Sequence, residues 1–167
     1  MQLSKTVRSL LRLLLAIWII VLCKFIFFKH TLRVINNYFR VHYASYSWEK
    51  AYENSNFIPF KSIRDIYTHP AAYEFKVNNH AGNILGFVPL GLLLALLFER
   101  LQHPGKLILA VFIISLFFEV LQFVSGLGIF DVDDLLLNSL GGFIGYGLFT
   151  LFKRLRTRHG ETIFYND

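Results

Sequence analysis

The chain has 167 residues, 54% of them hydrophobic and 17% aromatic, with 17% charged and a formal net charge of +6. An ordinary soluble domain runs about 45–50% apolar and about 25% charged, so the solvent for most of this chain is lipid. The basic residues gather at the ends of hydrophobic segments and in one loop, as membrane anchoring requires, and no basic helix or RNA-binding aromatic motif accompanies them, which sets nucleic-acid binding aside.

Residues 1–28 open with Lys5, Arg8 and Arg12 and no acid, followed by an apolar run from Leu13 broken only by Lys24. The uninterrupted part has the length of a signal-peptide core, but no small-x-small cleavage site follows. Leu22, ahead of the sole cysteine Cys23, is too bulky for a lipoprotein signal. The stretch is read as an uncleaved first membrane helix, with Lys24 snorkelling to the interface. One cysteine also excludes an intramolecular disulfide and a thiolate metal cage.

Residues 29–80 turn polar and aromatic, with Tyr38, Phe39, Tyr43, Tyr46, Trp48, Tyr52, Phe57, Phe60, Tyr67 and Tyr73 among charges of both signs. No span of about twenty apolar residues occurs, so the segment does not cross the bilayer. Its rings either sit in the headgroup layer or pack on helix ends, and Asn56 to Phe60, broken by Pro59, could be a turn that dips into the interface.

Three further apolar spans follow within residues 81–152: Ala81 to Phe98, Leu107 to Val124 and Leu135 to Phe152. Each reaches about 27 Å at 1.5 Å per residue, close to a ~30 Å hydrocarbon core. Gly82 and Gly86 form a small-xxx-small pair in the first of these and Gly141 and Gly145 another in the last, where helices can approach closely. Ser125 to Phe130 is long enough only for a tight reversal, and residues 153–167 form a basic tail. The reading is all-α: a polytopic bundle of four transmembrane helices with a long extracytoplasmic loop between the first and second. Flanking charges place both termini on the cytoplasmic side of the membrane.

That orientation gathers polar residues at the outer rim. Ser115, Glu119 and Gln122 stand at i, i+4 and i+7 of the third span, on one face. Asp131, Asp133 and Asp134 open the fourth, and Asn138 follows a turn later. A carboxyl beneath a helix end takes a partner or a proton, so Glu119, Asp131, Asp133 and Asp134 are candidate catalytic residues, Glu119 as the acid/base. Asn56, Asn83, Ser115, Gln122 and Asn138 are candidate substrate-binding residues. The structural alternatives are specific: Asp133 and Asp134 suit a helix start, and Asn83 could merely cap its own helix. His80 could reach the cluster. An oxygen-only set would suit Mg²⁺, Ca²⁺ or Mn²⁺, but its spacing matches no metal motif, so metal and cofactor stay unassigned.

The pieces Asn56 to Phe60 (NFIPF), Asn83 to Gly91 (NILGFVPLG), Ser115 to Gln122 (SLFFEVLQ) and Phe130 to Tyr146 (FDVDDLLLNSLGGFIGY) resemble, in this order, the VanZ-like family of bacterial membrane proteins. The resemblance implies a small integral membrane protein of the cell envelope, and the family's founding member is associated with resistance to the glycopeptide teicoplanin. Carried over by position, its motif residues here are Asn56, Pro59, Asn83, Pro89, Gly91, Glu119, Gln122, Asp131, Asp133, Asp134, Asn138, Gly141 and Gly142. Three functions compete. The acidic pocket acts on a lipid-linked or envelope substrate; the aromatic loop binds or shields precursor, lipid or glycopeptide without catalysis; or the intramembrane carboxylate serves an ion or proton conduit, for which no polar path continues through the cytoplasmic half of the later spans.

Overall fold

The computed structural model describes residues 4–27, 47–68 and 73–158. The helices in order are α1 (Lys5–Phe27), α2 (Trp48–Asn54), α3 (Lys61–Thr68), α4 (Tyr73–Leu97), α5 (Pro104–Ser125) and α6 (Val132–Arg158), with a 3-10 turn at Glu99–Leu101 between α4 and α5. Among the described residues there is no strand, and four helices are long and apolar enough to cross a membrane: Lys5–Phe27, Lys76–Leu97, Pro104–Ser125 and Val132–Thr157. The chain is an all-α, multi-pass membrane bundle. Tyr38, Phe39, Tyr43 and Tyr46 of the expected loop, and the end of the tail, lie outside the described residues.

Local sequence explains where helices begin and end. Pro104 sits in the first turn of α5, where its missing N–H costs nothing. Gly126 ends that helix in the left-handed conformation at φ 68°, its N–H bonded to the Phe123 carbonyl. The short α2 carries Ser47 as its N-cap, accepting from the Lys50 N–H.

The expected helix boundaries shift. Helix α4 begins at Tyr73 instead of Ala81, and α6 runs from Val132 to Arg158 instead of Leu135 to Phe152. Hydropathy marks the lipid-covered length, whereas the backbone ladder continues into the polar flank; Glu74 in the first turn of α4 complements the dipole there. Asn83 therefore lies well inside α4 and does not cap it.

The tightest packing joins α4 to α6. A Cβ added to Gly141 would stand 2.2 Å from the Ile84 carbonyl oxygen, and one on Gly145 would stand 2.1 Å from that of Val88. The contacts rise together by four residues on each helix, so the two run parallel, as alternate spans of an antiparallel bundle must. The expected Gly141-xxx-Gly145 seam thus meets the second span, while Gly142 faces Val111 of the third. Among the described residues Gly82 meets nothing within 4 Å and joins no seam; only Gly86 of that pair is close to a described neighbour, Leu22 of α1. The Trp18 indole N–H also donates to the Gly86 carbonyl at 2.9 Å. Phe87, Leu90, Leu94, Leu107, Val111, Phe118 and Phe149 form the interior. Ile20, Phe25, Leu85 and Phe117 are all at least 60% exposed, which in a membrane is the face turned to acyl chains.

Candidate functional site

The start of α6, the end of α5 and the segment 55–63 meet at one end of the bundle. Their first link is backbone: the Asn56 N–H donates to the Phe130 carbonyl at 2.8 Å, and the Val132 N–H donates to the Asn56 carbonyl at 2.9 Å. This single parallel bridge between Asn56 and Asp131 brings residues 75 apart into register.

The carboxylates then fasten around it. Asp131 accepts the Asp133 N–H at 2.9 Å, capping its own helix. It also accepts the Asn56 amide at 2.8 Å and the Ser62 hydroxyl. Asp133, fully buried, turns away from α6 towards the first turn of α3. There it accepts N–H donors from Phe60, from Ser62 at 2.7 Å and from Ile63 at 3.2 Å. A carboxylate of one helix thus satisfies the free N–H groups and the dipole of another. Glu119, 3% exposed, accepts the Asp131 N–H at 3.0 Å across the α5–α6 turn.

Asn56 completes the junction by accepting the Ile58 N–H at 3.0 Å through its own side chain, a local turn typical of Asn. Phe60 follows at φ 66°, a conformation that a bulky side chain adopts at a cost and that lets its N–H reach Asp133. The rings of Phe57 and Phe130 stack with centroids 5.4 Å apart, and Trp48 meets Phe123 edge-on at 5.6 Å. Of the two expectations for the aromatic segment, packing on the helix ends is the one these contacts show. One side packs on the helix ends, while Trp48, Tyr52, Phe57, Ile58 and Phe60 remain at least half exposed.

The remaining candidates divide. Asn138 donates to Ser115 at 2.8 Å, joining α6 to α5 below the junction, with its amide oxygen buried and unbonded among the described residues. Gln122 donates to the Ile26 carbonyl at 3.1 Å and ties down the end of α1. Asp134 lies half-buried in the first turn of α6. Asn83 makes no hydrogen bond to the carboxylates among the described residues; it lines a groove of about 360 Å³ between α1 and α4 with its amide nitrogen buried and unbonded. His80 likewise adds no hydrogen bond to the junction among the described residues, its Nδ1 being buried and unbonded.

No group of three or more His, Cys, Asp or Glu among the described residues could hold a metal ion. The physical reason is visible at Asp131 and Asp133, whose oxygens face N–H and O–H donors. Sequence reasoning missed Ser62 and the N–H groups of residues 60–63. The spacing Ser62-Ile63-Arg64-Asp65 marks a helix start, but nothing local says that its donors are met by a carboxylate 71 residues away.

A family model described as VanZ/LLP1 matches residues 15–153. The chain belongs to the VanZ/LLP1 family. Protein VanZ of Enterococcus faecium is 36% identical over 72 residues, which cover 43% of this chain and 44% of that protein. The chain therefore spans less than half the length of the curated VanZ relative it matches. No solved structure matches it. All the carboxylates of the junction fall within the stretch that the VanZ/LLP1 model covers.

Proposed function

We propose that this VanZ-like protein is a binding and shielding module of the bacterial cell envelope, contributing to glycopeptide resistance of the teicoplanin type or to envelope maintenance. Its acidic junction serves to hold the segment 47–63 on the outer rim of the bundle, with both termini in the cytoplasm. The exposed faces of Trp48, Tyr52, Phe57 and Phe60 are the surface that engages a lipid-linked precursor or the glycopeptide itself. Aromatic rings suit that task because each offers apolar area with little side-chain entropy to lose.

The observation that carries this reading is the use made of Asp133. It is the most deeply buried acid of the set, and it accepts three backbone N–H groups of the interfacial segment. A general acid or base needs a free lone pair or proton aimed at substrate, whereas this carboxylate is aimed at the protein's own chain.

Catalysis by Glu119 is the alternative, and a susceptibility assay separates the two. In a sensitive host, resistance to glycopeptides and other envelope-active antibiotics is compared for wild type, Glu119→Gln and a Trp48→Ala/Tyr52→Ala/Phe57→Ala triple variant, with membrane insertion verified by immunoblot. Glutamine keeps an acceptor oxygen for the Asp131 N–H, so Glu119→Gln retains most of the phenotype and the triple variant loses it. Abolition by Glu119→Gln with the triple variant fully active contradicts the binding reading and restores the catalytic one.

A further inference from the structure

At the end of the bundle remote from the acidic junction, an open groove of about 910 Å³ lies between the start of α1, the end of α4 with its 3-10 turn, and the first half of α5. Its wall is apolar, with Leu94, Leu97 and Ile113 running inward from the rim, and Ile113 is 56% exposed on the side of the bundle that faces lipid. Its rim carries Arg8, Arg100 and Glu99. Neither guanidinium has a hydrogen-bond or ion-pair partner among the described residues, so two arginines and one glutamate leave the rim with a single uncompensated positive charge.

We infer that this groove holds an anionic phospholipid, its phosphodiester between Arg8 and Arg100 and one acyl chain along Leu94, Leu97 and Ile113. The charge and the shape point to the same ligand. One phosphodiester neutralises a rim of charge +1, and guanidinium groups meet phosphate oxygens bidentately. A choline headgroup would bring a second cation to a rim that already has one too many. A free phosphate would leave the apolar wall unused, whereas basic pockets between membrane helices are where lipid headgroups are held. The groove binds lipid independently of what the aromatic segment does, so its role is to seat the first helix against α4 and α5 through a bound lipid.

The test uses the full-length protein in nanodiscs of equal parts phosphatidylglycerol and phosphatidylcholine, released into mild detergent, with retained lipid counted by native mass spectrometry. Wild type retains phosphatidylglycerol in preference to phosphatidylcholine. Arg8→Gln and Arg100→Gln each lower that retention about fivefold, the effect of about one basic residue at a membrane surface. Lys106→Gln, which removes a charge from the first turn of α5 outside the groove, does not. Because losing an arginine could disturb insertion, Arg8→Lys and Arg100→Lys are the companion variants: each keeps the charge and falls between wild type and the corresponding glutamine variant. Equal retention of the two lipids by wild type overturns the inference, as does an equal loss in Lys106→Gln. Displacement of the lipid by millimolar inorganic phosphate would show an anion site without a lipid.

Discussion

At the scale of single residues, the proposed role rests on Asp133, a buried acid whose side chain meets the backbone of another helix. Its oxygens take the place of water for the N–H groups that open α3, groups that would otherwise be left unsatisfied where the segment folds back on the bundle. Asparagine at this position keeps one acceptor oxygen and puts an NH₂ against N–H donors. Asp133→Asn is therefore expected to lower unfolding stability by about 1–3 kcal/mol and to expose residues 56–63 to protease, measured by thermal melting and limited proteolysis in detergent. A change within ~0.5 kcal/mol with no new cleavage would mean that the junction does not hold the segment. The candidate acids were legible in the sequence because a carboxylate beneath a helix end demands a reason. Their partners were not, because a backbone N–H leaves no mark in the sequence and two of the four acids, Asp133 and Asp134, could equally have been capping groups.

At the scale of elements, the four long helices were readable from hydropathy, while their ends and neighbours were not. Composition stops signalling where lipid stops, so α4 was expected to begin at Ala81, eight residues late. Spacing likewise flagged two small-xxx-small pairs without telling which was in use. Gly141 and Gly145 bring α6 onto the carbonyls of Ile84 and Val88, and Gly82 meets no described residue within 4 Å. The difference is testable with one pair of variants. Gly145→Val forces the α4 and α6 backbones apart, costs several kcal/mol and depresses the yield of folded protein, since overpacking alone costs about 1–3 kcal/mol even where side chains can move. Gly82→Ala leaves the fold intact and stabilises it by up to about 1 kcal/mol through helix propensity. Thermal melting of both in one detergent decides it, and equal destabilisation would contradict the parallel seam. That parts of the loop form short helices could be expected, but where α2 and α3 fall could not: with seven and eight residues they are too short to be stable by themselves. They exist because Phe123 supplies a ring for Trp48 of α2 to pack on, and Asp131 and Asp133 supply acceptors for Ser62 of α3.

At the scale of the whole molecule, the VanZ/LLP1 bundle is built as a frame with two different ends. One end gathers carboxylates, amides and aromatic rings around the α5–α6 turn. The other gathers Arg8, Arg100 and Gln102, whose carbonyl accepts the Tyr146 hydroxyl at 2.9 Å. Between them lie Asn138, which donates to Ser115, and Asn83, whose amide nitrogen is buried and unbonded among the described residues. The central claim is that the acidic residues hold the interfacial segment instead of reacting, and that claim can be separated from catalysis by replacing the carboxylate with a different fastener. In a Cys23→Ser background, Ser55→Cys and Phe130→Cys replace the contact in which the Ser55 hydroxyl accepts the Phe130 N–H at 3.2 Å with a potential disulfide, combined with Asp133→Asn. Antibiotic resistance is then measured with and without a membrane-impermeant oxidant added outside the cell, single-cysteine variants serving as controls. The account predicts that Asp133→Asn loses resistance and that the disulfide, formed from outside, restores it; a cross-linked Asp133→Asn protein that remains as sensitive as the uncross-linked one would contradict it.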